Sequence, residues 1–410
     1  MATSFRRRAR RAIVIGGSIA GLFTAAFLRR IGWEVDVYER SSVELVGRGV
    51  GIFATHPELL EALDQCGAGI VDIGVIAHKR ITLDSSGDVI AQKPFLQLVT
   101  SWDRLRNLLF AAVDPRRYHL GHVFERVDQD GRGVRVRFTN SVMACADLLI
   151  GCDGLRSAVR TQFAHEIQPI YAGYGLWRGA PSEADLTPHT RTTIFPYFAF
   201  FLAEQTQILG YPIPGREDDL RPGRRRYNVA WFRVADADTL GDLCVDANGR
   251  RHDFSVPAPL VRPNLVARMR ADAEALLPPQ FAECLRQIAQ PFFTPVCDFC
   301  SASLAFGRVA LVGDAASTAR PHIGFGVAKA GAEAQALAAA LRDHDDVDRA
   351  LAGYNAARQP LSERIVRHGR RLGTQLGVDL KTDDDRCMAK LLQSPNAILD
   401  WIGVPNFLAT

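Results

Sequence analysis

The chain has 410 residues, 47% of them apolar, which is enough for two domains, or for one domain carrying a large insertion, around a sizeable core. Its net charge of +4 rests almost wholly on arginine, with five lysines in all. No basic stripe with interleaved aromatics follows the cluster from Arg6 to Arg11, so that cluster reads as a solvated tail and no nucleic-acid partner is expected. No stretch reaches 18 uninterrupted apolar residues, so no membrane span is expected either.

The arginines run into "AIVIGGSIAGLFTAAFL", which imitates a twin-arginine export signal. Glycines interrupt that apolar run where a nucleotide loop needs them, and no small-residue cleavage site follows, so a cytoplasmic protein is expected. Residues 12–15 read as a continuous apolar strand, 19–31 as a helix ended by Gly32, and 34–38 as a second strand ahead of Glu39. In outline this is a dinucleotide-binding pattern. Gly16 makes the tight turn, Gly21 lets helix and strand pack closely, and the helix N-terminus offers N–H groups to a pyrophosphate. Ser18 stands where the pattern has its middle glycine and brings a hydroxyl to the same phosphate. Glu39, 23 residues after Gly16, is the acid expected to accept the ribose hydroxyls of an adenosine.

Downstream, "HKRITLDSSGDVIAQ" (78–92) reads as a hairpin turning at Ser85 to Asp88. "ADLLIGCDGLRSAVR" (146–160) is an apolar strand running into Asp153-Gly154 and a helix start. "RTTIFPYFAFFLAEQTQILGYPIP" (191–214) and "RRYNVAWFRV" (225–234) alternate as antiparallel strands. Their aromatics, with Tyr174 and Trp177, are core by default. The eight cysteines lack paired spacing apart from Cys297 and Cys300, so core thiols and no metal are expected. "GRVALVGDAA" (307–316) is a third strand ending in a glycine loop, at Gly313-Asp314. It leads through Arg320-Pro321-His322 and Gly324-Phe325-Gly326 into an Ala-rich helix at 327–341. His56 reads as the residue ahead of a helix that begins at Pro57.

The set "GGSIAG" with Glu39, "GCDGLRSAVR" and "GDAASTARPHIGFGVAKAGAEAQAL" resembles the single-component FAD-dependent aromatic hydroxylases of the 4-hydroxybenzoate hydroxylase type. The resemblance implies an α/β fold, with a Rossmann-like FAD-binding domain, an inserted antiparallel substrate sheet and a C-terminal helical region. Divided that way, the FAD-binding domain takes 1–75, 96–168 and 297–365, the substrate hairpin 76–95, the substrate sheet 169–296 and the helical region 366–410. It implies FAD contacts at Gly16, Ser18, Ile19, Ala20, Gly21, Glu39, Arg40, Trp102, Val123, Asp153, Asp314, Pro321, Gly324, Phe325 and Gly326. Trp102 replaces an arginine common in relatives, and Val327-Ala328-Lys329 replaces a stretch that usually holds an asparagine.

The activity implied is hydroxylation of a small hydroxylated aromatic, a hydroxypyridine foremost, by a flavin C4a-hydroperoxide formed with O2. NADH or NADPH is the co-substrate, and a homodimer is expected. No second dinucleotide pattern exists, so the nicotinamide would bind transiently across the domain cleft. Tyr211, in a Tyr-Pro step, and His322 are the candidates to assist loss of the substrate's hydroxyl proton. Other FAD chemistry (halogenation, or redox-neutral isomerisation or cyclisation) and a non-enzymatic flavin-binding module remain the alternatives. The halogenase signature Trp-x-Trp-x-Ile-Pro is absent.

Overall fold

The computed structural model describes residues 9–45 and 50–404; Arg6 to Arg8 of the basic cluster lie outside them. The first strand, Arg11–Ile15, is buried from Ala12 onward and has a strand on either edge. It pairs in parallel with Glu34–Tyr38 and with Leu148–Gly151, and the latter pairs in parallel with Val309–Leu311. Tyr118–His119 and Ala305–Phe306 complete this six-stranded sheet. Ile15 is in register with both Tyr38 and Gly151, and Gly151 with Leu311. The carboxyl ends of four strands therefore share one edge, where an open α/β sheet places its ligand crevice. All three glycine loops foreseen in the sequence leave that edge.

A nine-stranded sheet stands against it, ordered Ser317–Thr318, Phe292–Cys300, Ile170–Gly179, Arg226–Val234, Thr206–Ile213, Phe198–Ala203, Val75–Leu83, Val89–Ser101 and Gly51–Phe53. Period-two alternation divides its middle strands between two environments. Leu176, Arg178, Leu209, Tyr211, Asn228, Ala230 and Phe232 turn toward a cavity. Trp177, Ile208, Tyr227, Val229 and Trp231 turn into a second apolar cluster that includes Leu265, Met269, Phe281 and Leu285. Those four come from the helices Pro263–Leu276 and Pro279–Gln287.

Three elements differ from the sequence expectation. Residues 191–193 are not strand but the end of the helix Pro188–Thr193. Its N-cap Thr187 accepts from the Thr190 N–H, while Glu283 accepts from both threonine hydroxyls. The expected hairpin is longer, Val75–Leu83 with Val89–Ser101, and joins the large sheet through Phe198–Ala203. The strand Phe292–Cys300 runs through the division drawn at 296/297 and carries Cys297 and Cys300 as free thiols. Cys145 and Cys387 are exposed rather than core. The C-terminal region is fastened by Arg80, whose guanidinium donates to Leu399 O (2.9 Å) and Ile402 O (2.7 Å).

Candidate active site

Gly16 has φ +103°, and a Cβ there would lie 2.4 Å from the Cys152 carbonyl oxygen, so the turn excludes any side chain. Gly21 packs closer still, its missing Cβ 1.9 Å from the Gly16 carbonyl oxygen. Ser18 occupies the N-cap of the helix Ile19–Arg30 without a capping bond, so its hydroxyl is left for the adjoining cavity. Glu39 is buried and accepts from the Gly17 and Ser41 N–H groups, both at 2.9 Å, one on each carboxylate oxygen. Each oxygen retains acceptor capacity. The Tyr118 hydroxyl donates to Gly17 O at 2.9 Å and holds the loop from the other side.

Gly16, Ser18, Glu39, Arg40, Val123 and Asp153 line a cavity of about 280 Å3. Asp153 also caps the short helix Ala158–Phe163, accepting from Ser157 Oγ at 2.5 Å and from Ala158 N at 2.7 Å. Ile19, Ala20 and Gly21 do not line this cavity. Ile19 is buried in the core, and Ala20 fills the space beside Gly313, so any contact from these residues runs through backbone N–H groups.

A larger cavity, about 400 Å3, lies between the nine-stranded sheet and the 313–327 loop. Asp314, Pro321, Gly324, Phe325 and Gly326 form one wall; Arg178, Tyr211 and Asn228 stand on the other. Trp102 lines both cavities and marks the passage between them. Gly324 has φ +63° and a missing Cβ 1.8 Å from the Phe53 ring, whereas a Cβ on Gly326 would meet open space. Gly326 begins the helix Gly326–Asp343, which has neither a capping side chain nor an acid in its first turn. Its free N–H groups and positive dipole end therefore face the cavity.

Behind the Asp314 loop is a buried ion pair that sequence reading missed. Lys329 Nζ donates to Gly313 O (2.8 Å) and to Glu333 (3.0 Å), while Glu333 accepts the Gly313 N–H (2.7 Å) and the Ser362 hydroxyl (3.1 Å). The available signal was a Lys and a Glu four apart on an otherwise small and apolar helix face.

The two catalytic candidates separate. Tyr211 is in the cavity wall, stacked on Phe198 at 4.8 Å and edge-on to Phe53 at 5.3 Å, and its hydroxyl has no partner among the described residues. Burial pushes its phenol above the ordinary range, so it is a neutral donor. His322 is neither in the cavity nor on the surface. It is buried against Phe232, with Tyr174 Oη 2.9 Å from Nε2 and Gln375 Nε2 3.4 Å from Nδ1. It braces the loop from behind and is not part of the cavity lining.

Burial pushes His322 down to about 3, and His56, bonded to Gly324 O, down to about 4. Unfolded histidines take up protons below their ordinary value of about 6.5, while these two stay neutral in the fold. Their contribution to stability is therefore complete above about pH 6.5 and falls as the pH drops toward 4, by up to about 1.4 kcal/mol per pH unit for each histidine. Urea midpoints at neutral and mildly acid pH check this. His322→Gln should flatten the decline, and an unaltered slope would show that His322 does not contribute to it.

Comparison with known proteins accords with this geometry. An FAD binding domain family model matches residues 10–174, and an FAD binding domain-like model matches 171–298. The chain is 34% identical over 346 residues to a 2,6-dihydroxypyridine 3-monooxygenase of Paenarthrobacter nicotinovorans, covering 84% of this chain and 86% of that one. It belongs to the family of FAD-dependent aromatic hydroxylases. The solved 2,6-dihydroxypyridine-3-hydroxylase of Arthrobacter nicotinovorans superposes on this hydroxylase with TM-score 0.84 and 31% identity, over 90% of this chain and 93% of that one. A salicylate hydroxylase in complex with its substrate shares the fold at TM-score 0.72 and 20% identity, over 98% and 97% of the two chains. FAD is the cofactor of the hydroxylase. Its site fits that group: a side-chain-free cradle at Gly16, an acid at Glu39, and an uncapped helix start at the far cavity.

Proposed function

We propose that the protein uses NADH or NADPH and O2 to hydroxylate a small hydroxylated aromatic ring, a hydroxypyridine such as 2,6-dihydroxypyridine. The observation that carries this is the larger cavity, whose two walls differ in chemistry. One wall is glycine-rich backbone and a helix N-terminus; the other is apolar sheet holding a tyrosine, an arginine and an asparagine. The sequence likeness to the dihydroxypyridine enzyme supports the choice of substrate class.

Bound FAD supplies a ring that accepts hydride from the nicotinamide and delivers one oxygen atom of O2 to the substrate. In this reading Gly16, Ser18, Glu39, Arg40, Val123 and Asp153 hold the adenosine and pyrophosphate, with Ile19, Ala20 and Gly21 contributing through backbone. Trp102 covers the passage, and Asp314 accepts from the ribityl hydroxyls. Pro321, Gly324, Phe325 and Gly326 approach the ring edge, where the helix N–H groups favour negative charge. Tyr211 donates to the substrate oxygen, and the apolar sheet around it excludes water. A cytoplasmic homodimer completes the reading; no helix among the described residues is long and apolar enough to cross a membrane.

The purified protein should carry one FAD per chain, oxidise NADH or NADPH slowly alone, and accelerate on addition of 2,6-dihydroxypyridine with formation of hydroxylated product. If no hydroxypyridine or hydroxybenzoate changes the rate while a halide or polyene substrate turns over, the alternative flavin chemistry replaces this one.

A further inference from the structure

Arginines that are buried in this fold have acceptors. Arg80 bonds Gln97 and carbonyls of the C-terminal segment, Arg160 bonds the Ala315 and Leu155 carbonyls, and Arg320 pairs with Asp298 at 2.7 Å. Arg178 is different. It is half-buried in the wall of the larger cavity and has no hydrogen bond or ion pair with any described residue. Its Nε lacks a partner, as does that of Arg160, but no other atom of its guanidinium is bonded either. Burial lowers its pKa, opposed only by the neighbouring Tyr211 phenol and by no carboxylate. An uncompensated guanidinium in such a place is costly unless a ligand supplies the missing charge.

The sheet explains where it points. Arg178 lies opposite Ala230 on one neighbouring strand and Phe292 on the other, and Ala230 lies opposite Leu209. The methyl of Ala230 leaves room for the guanidinium along the cavity wall. One row on, Asn228 is opposite Tyr211. Asn228 gives its oxygen to the Gly51 N–H (3.0 Å), and its amide nitrogen has no partner among the described residues. The titratable and charged groups sharing the cavity do not neutralise Arg178. Tyr211 is neutral, Cys297 has its thiol pushed up to about 11, Arg320 is held by Asp298, and Asp314 stands on the opposite wall.

We propose that Arg178 is the fixed counter-cation for an ionised ring oxygen, so that the enzyme binds its hydroxypyridine as the anion. The hydroxyl O–H bond breaks, the proton goes to solvent, and the electron pair stays on oxygen. That oxygen then faces the guanidinium, with the Tyr211 hydroxyl and the Asn228 amide as neutral donors. The charge raises the electron density of the ring, which electrophilic oxygen transfer requires. No protein base is needed, which agrees with the neutral Tyr211 and the absence of His322 from the cavity. The assignment rests on the hydroxylase reading above and names the charge state that the site selects.

The test titrates FAD-loaded wild type, Arg178→Met and Arg178→Lys, reading flavin absorbance, with three probes at about pH 8. 2,6-Dihydroxypyridine carries the ring oxyanion, 2,6-diaminopyridine has its shape without the charge, and nicotinate carries a carboxylate instead. Arg178→Met should weaken 2,6-dihydroxypyridine by about 10- to 100-fold, the range for a lost hydrogen bond to a charged group. It should leave 2,6-diaminopyridine nearly unchanged, and Arg178→Lys should restore part of the loss. Unchanged affinity for 2,6-dihydroxypyridine in Arg178→Met, or a loss confined to nicotinate, overturns the assignment while leaving the hydroxylase reading intact. A wild type that binds none of the probes and shows no aromatic-stimulated nicotinamide oxidation overturns both.

Discussion

Lys329→Met is expected to lower stability by about 3–5 kcal/mol, the range for removing one partner of a buried ion pair. Lys329 is 1% and Glu333 0% exposed, and the substitution leaves the Glu333 carboxylate without its cation. The damage should be local as well as global. Glu333 accepts the Gly313 N–H and Lys329 donates to the Gly313 carbonyl, so the pair grips the two peptide units that flank the Gly313 Cα, immediately before Asp314. Gly313 has φ +68°, a left-handed conformation that these bonds help to hold. FAD content should therefore fall along with the melting temperature. Lys329→Met/Glu333→Leu removes the stranded charge and should recover part of the stability without recovering FAD affinity, because the Gly313 bonds are still missing. A single variant with wild-type melting and full FAD occupancy would show that the pair is incidental to the loop.

What the sequence revealed follows from how local each signal is. The strand–glycine–helix–strand run at 12–39 is contiguous, and its two pattern glycines each answer to a measurable near-collision, at Cys152 for Gly16 and at Gly16 itself for Gly21. The Gly313-Asp314 step and the Gly324-to-Gly326 helix start were legible for the same reason. Arg178 was not, because its neighbours Ala230, Leu209, Tyr211 and Asn228 come from other strands, and "WRG" by itself carries no sign of an empty partner position. His322 was misread as facing either substrate or solvent, because the residues that bury it, Tyr174, Phe232 and Gln375, lie 148, 90 and 53 positions away in the chain. Residues 191–193 lost their strand to Thr187 and Glu283, a cap formed across 96 residues.

Tyr211→Phe tests the other half of the cavity. The ring should stay where it is, since Phe198 at 4.8 Å and Phe53 at 5.3 Å fix it by stacking and edge contacts that need no hydroxyl. Its hydroxyl has no partner among the described residues, so the fold loses no bond and melting and FAD content should hold. A general base in this position would be worth about 10²–10⁴-fold, but burial raises the Tyr211 phenol, and a group that stays protonated cannot accept the proton. On the proposed reading what remains is one hydrogen bond to a charged substrate oxygen, worth about 1.5–3 kcal/mol, or about 10- to 150-fold in rate. The loss should appear as less product per nicotinamide consumed, with more peroxide, because the ring is held less firmly under the flavin. Its dependence on pH should match the wild type, since a neutral donor has been removed and no titrating base. Equal coupling and equal rate would make Tyr211 a packing residue, and a changed pH profile would restore it as the base.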